Sequence, residues 1–407
     1  MERFQGLLGI ILILGIMVLL SKHRSRINWR IIGAGLALQV ITGFLVIKWG
    51  PGAYALEQFA NGVTHIIDYT KAGTEFVFGS LIDTEKNGFI FAVQVLPVII
   101  FFGTIVGVLY YLRVLQWFVE IVGTALKWVL GTSKIESVWA ATVVVLGMSE
   151  APLVIQPYLK RLTKSELFVC MVGGLASVAG TVLVGYSLLG APMPYLLAAA
   201  VMNAPGSLLI AKGLWPETEK SDLDASVRDV RDTESVNIID ALARGALTGG
   251  HLAVIVGCLL VAFIAVIAML NGALGGIGGW FGAPGLSFDQ VFGWIFAPVA
   301  WLLGVPWHEA GTAGNFIGQK TVLNEFVAFS NFGPLVQSGA LDPKTVLITT
   351  FALCGFANFG SIAILVGSLG SLVPERRHEV AKYGLLALLA ATMTNLLNAA
   401  IVGVVGS

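Results

Sequence analysis

Charge is scarce in this chain. Only 12% of its 407 residues are Asp, Glu, Lys or Arg, and their formal charges cancel at pH 7. A soluble domain carries about 25% charged residues, so water would solvate this surface poorly. The chain also lacks the excess of basic residues that neutralises nucleic-acid phosphates. The composition therefore excludes a soluble enzyme and a nucleic-acid-binding protein.

Cysteine and metal-binding motifs are scarce too. Cys170, Cys258 and Cys354 lie in apolar stretches without CxxC spacing, so we interpret them as small core residues rather than a metal or redox site. The pair His308-Glu309 lacks the second histidine of the HExxH zinc motif and is interpreted as a hydrated loop or an interfacial contact, without zinc. No Walker A sequence supports ATP-driven transport. We expect no permanently bound cofactor.

Apolar residues, by contrast, make up 56% of the chain, which also contains 49 glycines. A helix needs about 20 mostly apolar residues to cross a membrane. We therefore predict an all-α polytopic membrane protein with eight transmembrane helices, followed in one case by a flexible glycine-rich loop at Gly272–Gly285. The crossings are assigned to Phe4–Ser21, Ile31–Ile47, Gly88–Leu112, Leu167–Ala211 (two crossings), Gly245–Phe288, Thr345–Val373 and Tyr383–Ser407.

The first apolar run is either a signal peptide or a membrane helix. Met1-Glu2-Arg3 is a poor basic leader and Lys22–Arg26 resembles a stop-transfer flank, which favours the helix. Short basic loops stay in the cytoplasm, and placing every basic loop there puts both termini outside. The basic loops are Lys22–Arg30, Lys160–Lys164, Lys212–Arg244 and Arg376–Lys382.

Two further segments are too short to cross and carry polar centres. Ser137–Leu159 contains Met148-Ser149-Glu150, and Phe316–Leu341 contains Asn324-Glu325. About 30 residues after each centre comes a span interrupted by small or polar residues. A re-entrant hairpin followed by a broken helix, repeated in two inverted halves, is typical of the midplane binding site of a secondary transporter.

These features divide the chain into five predicted regions, grouped as a scaffold and a transport domain. They are 1–113 (N-terminal scaffold helices), 114–213 (interfacial helix, first hairpin and following spans), 214–244 (cytoplasmic linker), 245–289 (long scaffold helix and loop) and 290–407 (second hairpin and last two spans).

Glu150 and Glu325 are the strongest candidate functional residues, because a carboxylate at membrane depth is costly and is seldom kept without a partner or a pathway. The alternative is an interfacial helix whose glutamate reaches headgroup water. Asn358 and Ser361 share a helical face and either bind a polar ligand or join helices. Phe356 either stacks on a planar ligand or packs.

At these residues the sequence resembles the concentrative nucleoside transporters. The resemblance rests on the following stretches, in chain order: Gly147–Leu153, Gln156–Leu159, Gly173–Gly180, Trp215–Glu219, Phe292–Trp294, Gly304–Trp307, Lys320–Phe326 and Ala352–Phe359.

The resemblance implies an eight-span homotrimer surrounded by membrane lipid, in which a transport domain moves against a scaffold. It assigns substrate contacts along the chain. The nucleobase would meet Gly147, Met148, Ser149, Glu150 and Val182, with Phe356 close by, and the ribose would meet Glu325, Asn358 and Ser361.

Two positions depart from the family pattern. Met148 replaces the usual Gln, which leaves the base preference open, and Val143 replaces the Asn of sodium-coupled members. The remaining candidate sodium ligands are the carbonyls of Leu146 and Val178 and the hydroxyl of Ser177. We therefore expect a weakened Na+ site, or H+ coupling through Glu150 or Glu325.

The function that follows is nucleoside import across a bacterial inner membrane by symport with Na+ or H+. Two alternatives remain: a related symporter for a nucleobase or modified nucleoside, and a passive pore. A membrane-embedded hydrolase is disfavoured, because no nucleophile and base are suitably spaced.

Overall fold

The computed structural model describes residues 2–219, 235–280, 282 and 285–406, with side chains from Phe4 onward. The acidic stretch of the predicted linker, 220–234, lies outside the described residues. Within them the regular structure is helical, without a strand. The first ten helices are α1 (Glu2–Leu20), α2 (Trp29–Ile47), α3 (Gly50–Phe78), α4 (Thr84–Asn87), α5 (Phe91–Gln94), α6 (Leu96–Tyr111), α7 (Val114–Leu130), α8 (Lys134–Val154), α9 (Lys164–Ala176) and α10 (Gly180–Leu188). The others are α11 (Met193–Leu214), α12 (Ile238–Trp280), α13 (Phe288–Leu302), α14 (Trp307–Val322), α15 (Glu325–Gln337), α16 (Pro343–Leu353), α17 (Phe359–Leu372) and α18 (Arg377–Val405).

The protein is a multi-pass membrane protein. In the described part of the chain, seven helical segments are long and apolar enough to cross a membrane, or eight if the bent pair α13 and α14 counts as one span. This set differs in detail from the predicted crossings. It includes α8, the predicted first hairpin, and the predicted span Thr345–Val373 is divided into α16 and α17. Helix α1, at the predicted first crossing, is apolar and has 19 residues, as many as α2.

Burial separates an inner bundle from outer helices. The apolar window of Lys164–Leu188, which covers α9 and α10, is 94% buried, whereas that of α12 is only 17% buried. Because the exposed side chains of α12 are largely apolar, they suit contact with lipid rather than water. The candidate site lies in the inner bundle.

The outer helices α6 and α12 pack closely through glycine. Gly103 and Gly107 of α6 face Gly245 and Gly249 of α12, so a Cβ atom on any of them would meet the opposite backbone at 3.0 Å or less. Close backbone contact through small residues four apart is a common mode of helix association in membranes.

The prediction of a glycine-rich loop at Gly272–Gly285 is wrong for residues 272–280, because α12 continues as a helix to Trp280. Each interior glycine costs about 1 kcal/mol in water. In hydrocarbon, however, a helix satisfies backbone groups that a loop would leave unpaired. The same helix begins at Ile238, inside the predicted linker, and its Cys258 is exposed rather than a core residue.

Two other features of the prediction need revision. Helix α3 was not predicted, because its mixed polar and apolar composition gives no charge-free run. His308 and Glu309 are not in a loop, since they lie in the first turn of α14, which extends nine residues further toward the N-terminus than the predicted arm at Phe316. Helix α7, by contrast, occupies the start of the region predicted to contain an interfacial helix.

Candidate binding site between two hairpin tips and two broken helices

The second hairpin consists of α14 and α15, which meet at Leu323-Asn324. Asn324 caps α15, since its Oδ1 accepts a hydrogen bond of 3.0 Å from the backbone N–H of Val327. Glu325 therefore lies in the first turn of α15, where the unpaired N–H groups of a helix favour a negative charge. Its residue is only 3% exposed.

The second broken helix provides a partner for this carboxylate. Helix α16 ends at Leu353 and α17 begins at Phe359. In the gap, the Nδ2 of Asn358 donates to the Oε2 of Glu325 at 2.9 Å, and its Oδ1 accepts from the backbone N–H of Ser361 at 2.8 Å. The structure thus brings together three residues predicted to bind the ribose.

Tyr186 of α10 was missed by the sequence analysis. Its ring stacks on Phe329 of the second hairpin with centroids 4.5 Å apart. Its hydroxyl lies close to the Glu325 carboxylate and makes no hydrogen bond within the described residues. The sequence feature that could have identified Tyr186 is its position four residues after Val182, a predicted base-contacting residue, because this spacing puts both residues on one face of α10.

The first hairpin turns at Gly147. This residue leaves helical geometry within α8, with φ 75° and ψ 177°, and divides it into arms of residues 134–146 and 148–154. A positive φ favours glycine. Space at the tip is also limited, because a Cβ on Gly147 would lie 2.7 Å from that of Ala179 in the first helix break. The tip therefore packs directly against the gap between α9 and α10.

The predicted base-contacting residues near this tip have different environments. Met148 is 3% exposed and packs against Gly174 of α9, and Val182 is buried on α10. Ser149 is exposed and Glu150 is partly exposed. Among the described residues, Glu150 has neither a hydrogen bond nor an ion pair.

Two of the candidate Na+ ligands, Ser177 and Val178, lie in the break between α9 and α10, and Leu146 directly precedes Gly147 at the hairpin tip. Leu146, Ser177 and Val178 are at most 9% exposed, and Val143 is completely buried. In the described part of the chain, the hydroxyl of Ser177 has no hydrogen-bond partner, whereas its carbonyl accepts from the N–H of Phe356 at 3.3 Å. That bond joins the two helix breaks. The valine side chain adds no oxygen for a hard cation.

A buried lysine holds the ends of both broken helices. The Nζ of Lys320 in α14 donates to the carbonyl of Ala352 at 2.8 Å and to the Oδ1 of Asn395 at 2.7 Å. The Nδ2 of Asn395 donates in turn to the carbonyl of Ala176 at 2.9 Å. Ala176 and Ala352 lie in the last turns of α9 and α16, where carbonyl groups lack helical partners and favour positive charge.

This network extends deeper into the bundle and leaves no room for a side chain at Gly355. Asn203 of α11 donates to the carbonyl of Cys354 at 2.9 Å and accepts from Asn395 at 3.0 Å and from Asn398 at 2.8 Å. A Cβ on Gly355 would lie 2.6 Å from the carbonyl oxygen of Ala176. The second helix break is therefore fixed by polar contacts on both sides.

Known sequence families match the chain in three consecutive blocks. Residues 8–81 match the pattern described as Na+ dependent nucleoside transporter N-terminus, residues 92–193 match Nucleoside recognition, and residues 195–403 match Na+ dependent nucleoside transporter C-terminus. The chain belongs to the Na+ dependent nucleoside transporter family.

Whole-chain relatives agree with this assignment. The chain is 48% identical to the transporter YutK of Bacillus subtilis, with 99% of both chains covered. It is 42% identical to the nucleoside permease NupC of Helicobacter pylori, with 94% of this chain and 93% of the relative covered. These relatives are membrane transporters and not enzymes.

Solved structures of one relative resemble the fold along its whole length. The chain is 46% identical to CNTnw in an inward-facing substrate-bound state, with a TM-score of 0.96 over 100% of this chain and 99% of that one. A doubly substituted variant of CNTnw in an outward-facing state matches with the same TM-score, identity and coverage. The architecture of eight membrane spans with two hairpins predicted for this chain is thus the fold of a known transporter family.

Proposed function

We propose that this protein imports nucleosides by cation-coupled symport, through alternating access of a transport domain that contains both hairpins and both broken helices. The observation that carries the proposal is the buried hydrogen bond between Glu325 and Asn358. It places a carboxylate and an amide side by side at membrane depth, where two helix ends also expose backbone groups. A pair of vicinal hydroxyls suits such a site, since a carboxylate accepts their hydrogen bonds and an amide both donates and accepts.

The ribose and the base of a nucleoside would then contact different sides of the site. Glu325, Asn358 and Ser361 would bind the ribose. The base would lie toward the first hairpin, against Gly147, Met148, Ser149, Glu150 and Val182, with Phe356 beside it. Each hydrogen bond lost from a buried site of this kind costs about 1 to 3 kcal/mol, so ribose recognition would dominate affinity.

The contacts between the two halves support movement as one body. The bond from Phe356 to the carbonyl of Ser177 and the bonds of Lys320 and Asn395 connect both helix breaks to the second hairpin. Alternating access in this class of transporter is largely a rigid-body motion around a fixed site.

Two coupling ions, Na+ and H+, fit this proposal. Na+ would have to rely on Ser177 and on the carbonyls of Leu146 and Val178, because Val143 supplies no ligand. H+ would instead be carried by Glu150 or Glu325. The bacterial inner membrane, the outside location of both termini and the homotrimer stay predictions; the mass of the protein in lipid nanodiscs tests the trimer.

Uptake by proteoliposomes containing the purified protein tests the proposal. Labelled uridine, adenosine and uracil are offered under an imposed Na+ gradient and, separately, under an H+ gradient at matched membrane potential. We expect saturable accumulation of a nucleoside under at least one gradient and none in empty liposomes. Accumulation of uracil alone would favour the nucleobase alternative, unsaturable equilibration would indicate a pore, and no movement of either nucleoside would refute the proposed cargo.

A further inference from the structure

A cluster of three potential metal ligands lies at the base of the second hairpin, at the end opposite to Glu325. His308 and Glu309 occupy the first turn of α14, and Asp342 directly precedes α16. One ligand atom from each lies within 4.8 Å of the other two. Asp342 is 33 positions away from Glu309 in sequence, so the spacing of residues does not reveal the cluster.

The contacts within the cluster hold two of its members and leave ligand atoms free. The Oε1 of Glu309 accepts a hydrogen bond of 3.0 Å from the backbone N–H of Asp342. Its Oε2 is buried and has no hydrogen-bond partner among the residues that the structure describes. The Nε2 of His308 is 3.8 Å from the Oδ2 of Asp342. Asp342 occupies the cap position of α16, but its side chain makes no capping hydrogen bond.

We propose that His308, Glu309 and Asp342 form a binding site for a divalent transition-metal ion of the zinc type. The donor set is one imidazole nitrogen and two carboxylate oxygens. Two carboxylates balance the charge of a divalent ion, and the imidazole selects zinc-like ions over Ca2+ and Mg2+, which prefer oxygen alone. Water would fill the open position.

The distances suit this assignment after small side-chain movements. Ligands about 2 Å from a tetrahedral zinc ion lie roughly 3.3 Å from one another, slightly closer than the separations in the cluster. The side chains of His308 and Asp342 are 71% and 54% exposed and so can adjust their rotamers. A cavity of about 400 Å³, lined in part by Pro306, Asp342 and Lys344, adjoins the site and gives an ion access.

A bound ion would connect the two ends of the hairpin. His308 and Glu309 begin the first arm, whereas Asp342 follows the second arm after α15 ends at Gln337. In the free protein these ends are joined at this point by the bond from Asp342 to Glu309. The ion would add bridging bonds at the base of the element whose tip carries Glu325.

Calorimetric titration of the tag-free protein in lipid nanodiscs with Zn2+ at pH 7.5, after treatment with EDTA, tests the site. We expect one strong site per chain, weakened about tenfold or more in His308→Ala and in Asp342→Asn, since loss of even an outer-shell partner costs that much. His378→Ala removes a similarly exposed histidine elsewhere and should leave binding unchanged. Metal-free unfolding temperatures equal to that of the unaltered protein would establish that the variants are folded. His308→Gln serves as a second variant at the histidine position.

Three results would overturn the proposal. They are no strong Zn2+ site in the unaltered protein, unchanged binding in both His308 variants, and Ca2+ binding as tight as Zn2+ binding. The last two would indicate a nonselective acidic surface. Because the experiment measures ion binding and not uptake, its failure leaves the proposed transport function untouched.

Discussion

The two hairpins each carry a glutamate near the tip, but the two carboxylates have different surroundings. Glu325 is 3% exposed, lies in a capped helix turn and accepts a hydrogen bond from Asn358. Glu150 is partly exposed and has no hydrogen-bond partner in the described part of the chain. Lys320 further anchors the second hairpin through Ala352 and Asn395.

Unpaired polar groups lie beside both hairpins, since the Tyr186 hydroxyl near Glu325 also lacks a hydrogen-bond partner within the described residues. The hydroxyl of Ser177 is buried without a partner, and Val143 and Met148 present apolar side chains nearby. A buried polar group without a hydrogen bond costs free energy, and a bound substrate or cation would remove that cost. On the proposed function, Asn358 would position the Glu325 carboxylate before a nucleoside arrives, whereas Glu150 and the Ser177 hydroxyl would gain contacts on binding.

The largest expected effect comes from Glu325→Gln. The amide keeps the shape and can still accept from Asn358, but it removes the charge that strengthens hydrogen bonds to ribose. Bonds to a charged group contribute about 1.5 to 3 kcal/mol, which predicts an initial rate of uridine uptake lower by about 10-fold to 100-fold. Gel filtration checks that the variant is folded. Glu375→Gln, at an exposed side chain, is the matched control, and uptake at normal affinity in Glu325→Gln would refute the ribose role.

Lys320→Met tests whether the second hairpin is anchored by its buried lysine. The substitution leaves the carbonyl of Ala352 and the amide oxygen of Asn395 without their donor, at a cost of about 1 to 3 kcal/mol for each. We expect a clear fall in the thermal unfolding temperature of the purified protein. Lys160→Met breaks only an exposed pair with Glu375, worth about 1 kcal/mol or less. Equal losses in the two variants would contradict the anchoring role.

Val143→Asn tests the opposite hairpin by adding an oxygen near Ser177. We expect uridine uptake to become Na+-dependent, with a stimulation of about fivefold or more when Na+ replaces choline, which is the lower end of usual coupling between sites. Strong Na+ dependence in the unaltered protein would show instead that the valine does not weaken the site.

Met148→Gln should have the smallest effect. A glutamine amide would add one hydrogen bond to the base edge, worth about 1 kcal/mol, and so change the relative uptake of uridine and adenosine by about fivefold. Competition of unlabelled nucleosides against labelled uridine measures this ranking. An unchanged ranking would place the base pocket elsewhere.

The helix breaks could be predicted because their signal is local. Glycine, serine and asparagine interrupt apolar runs at 173–181 and 354–361, and the structure breaks its helices at 177–179 and 354–358. The division between α14 and α15 likewise falls at the predicted Asn324-Glu325.

What failed or was missed depends on partners distant in sequence or on the membrane environment. Lys320 and Asn395 are 75 residues apart, so their bond has no sequence signature. The end of α12 was predicted as a loop, because its glycines predict flexibility in water, whereas a membrane favours a continuous helix. Asp342 lies close to His308 and Glu309 in space but is 33 positions from Glu309 in sequence, so the spacing of residues could not reveal this cluster.

The most direct test of the central claim is a binding comparison between uridine and 3′-deoxyuridine, using the unaltered protein and Glu325→Gln. If Glu325 binds the ribose, loss of the hydroxyl should weaken binding about tenfold or more in the unaltered protein. The same loss should have little effect in the variant, because the two changes remove one interaction. An equal penalty in both proteins would contradict the assignment of the second hairpin to the ribose.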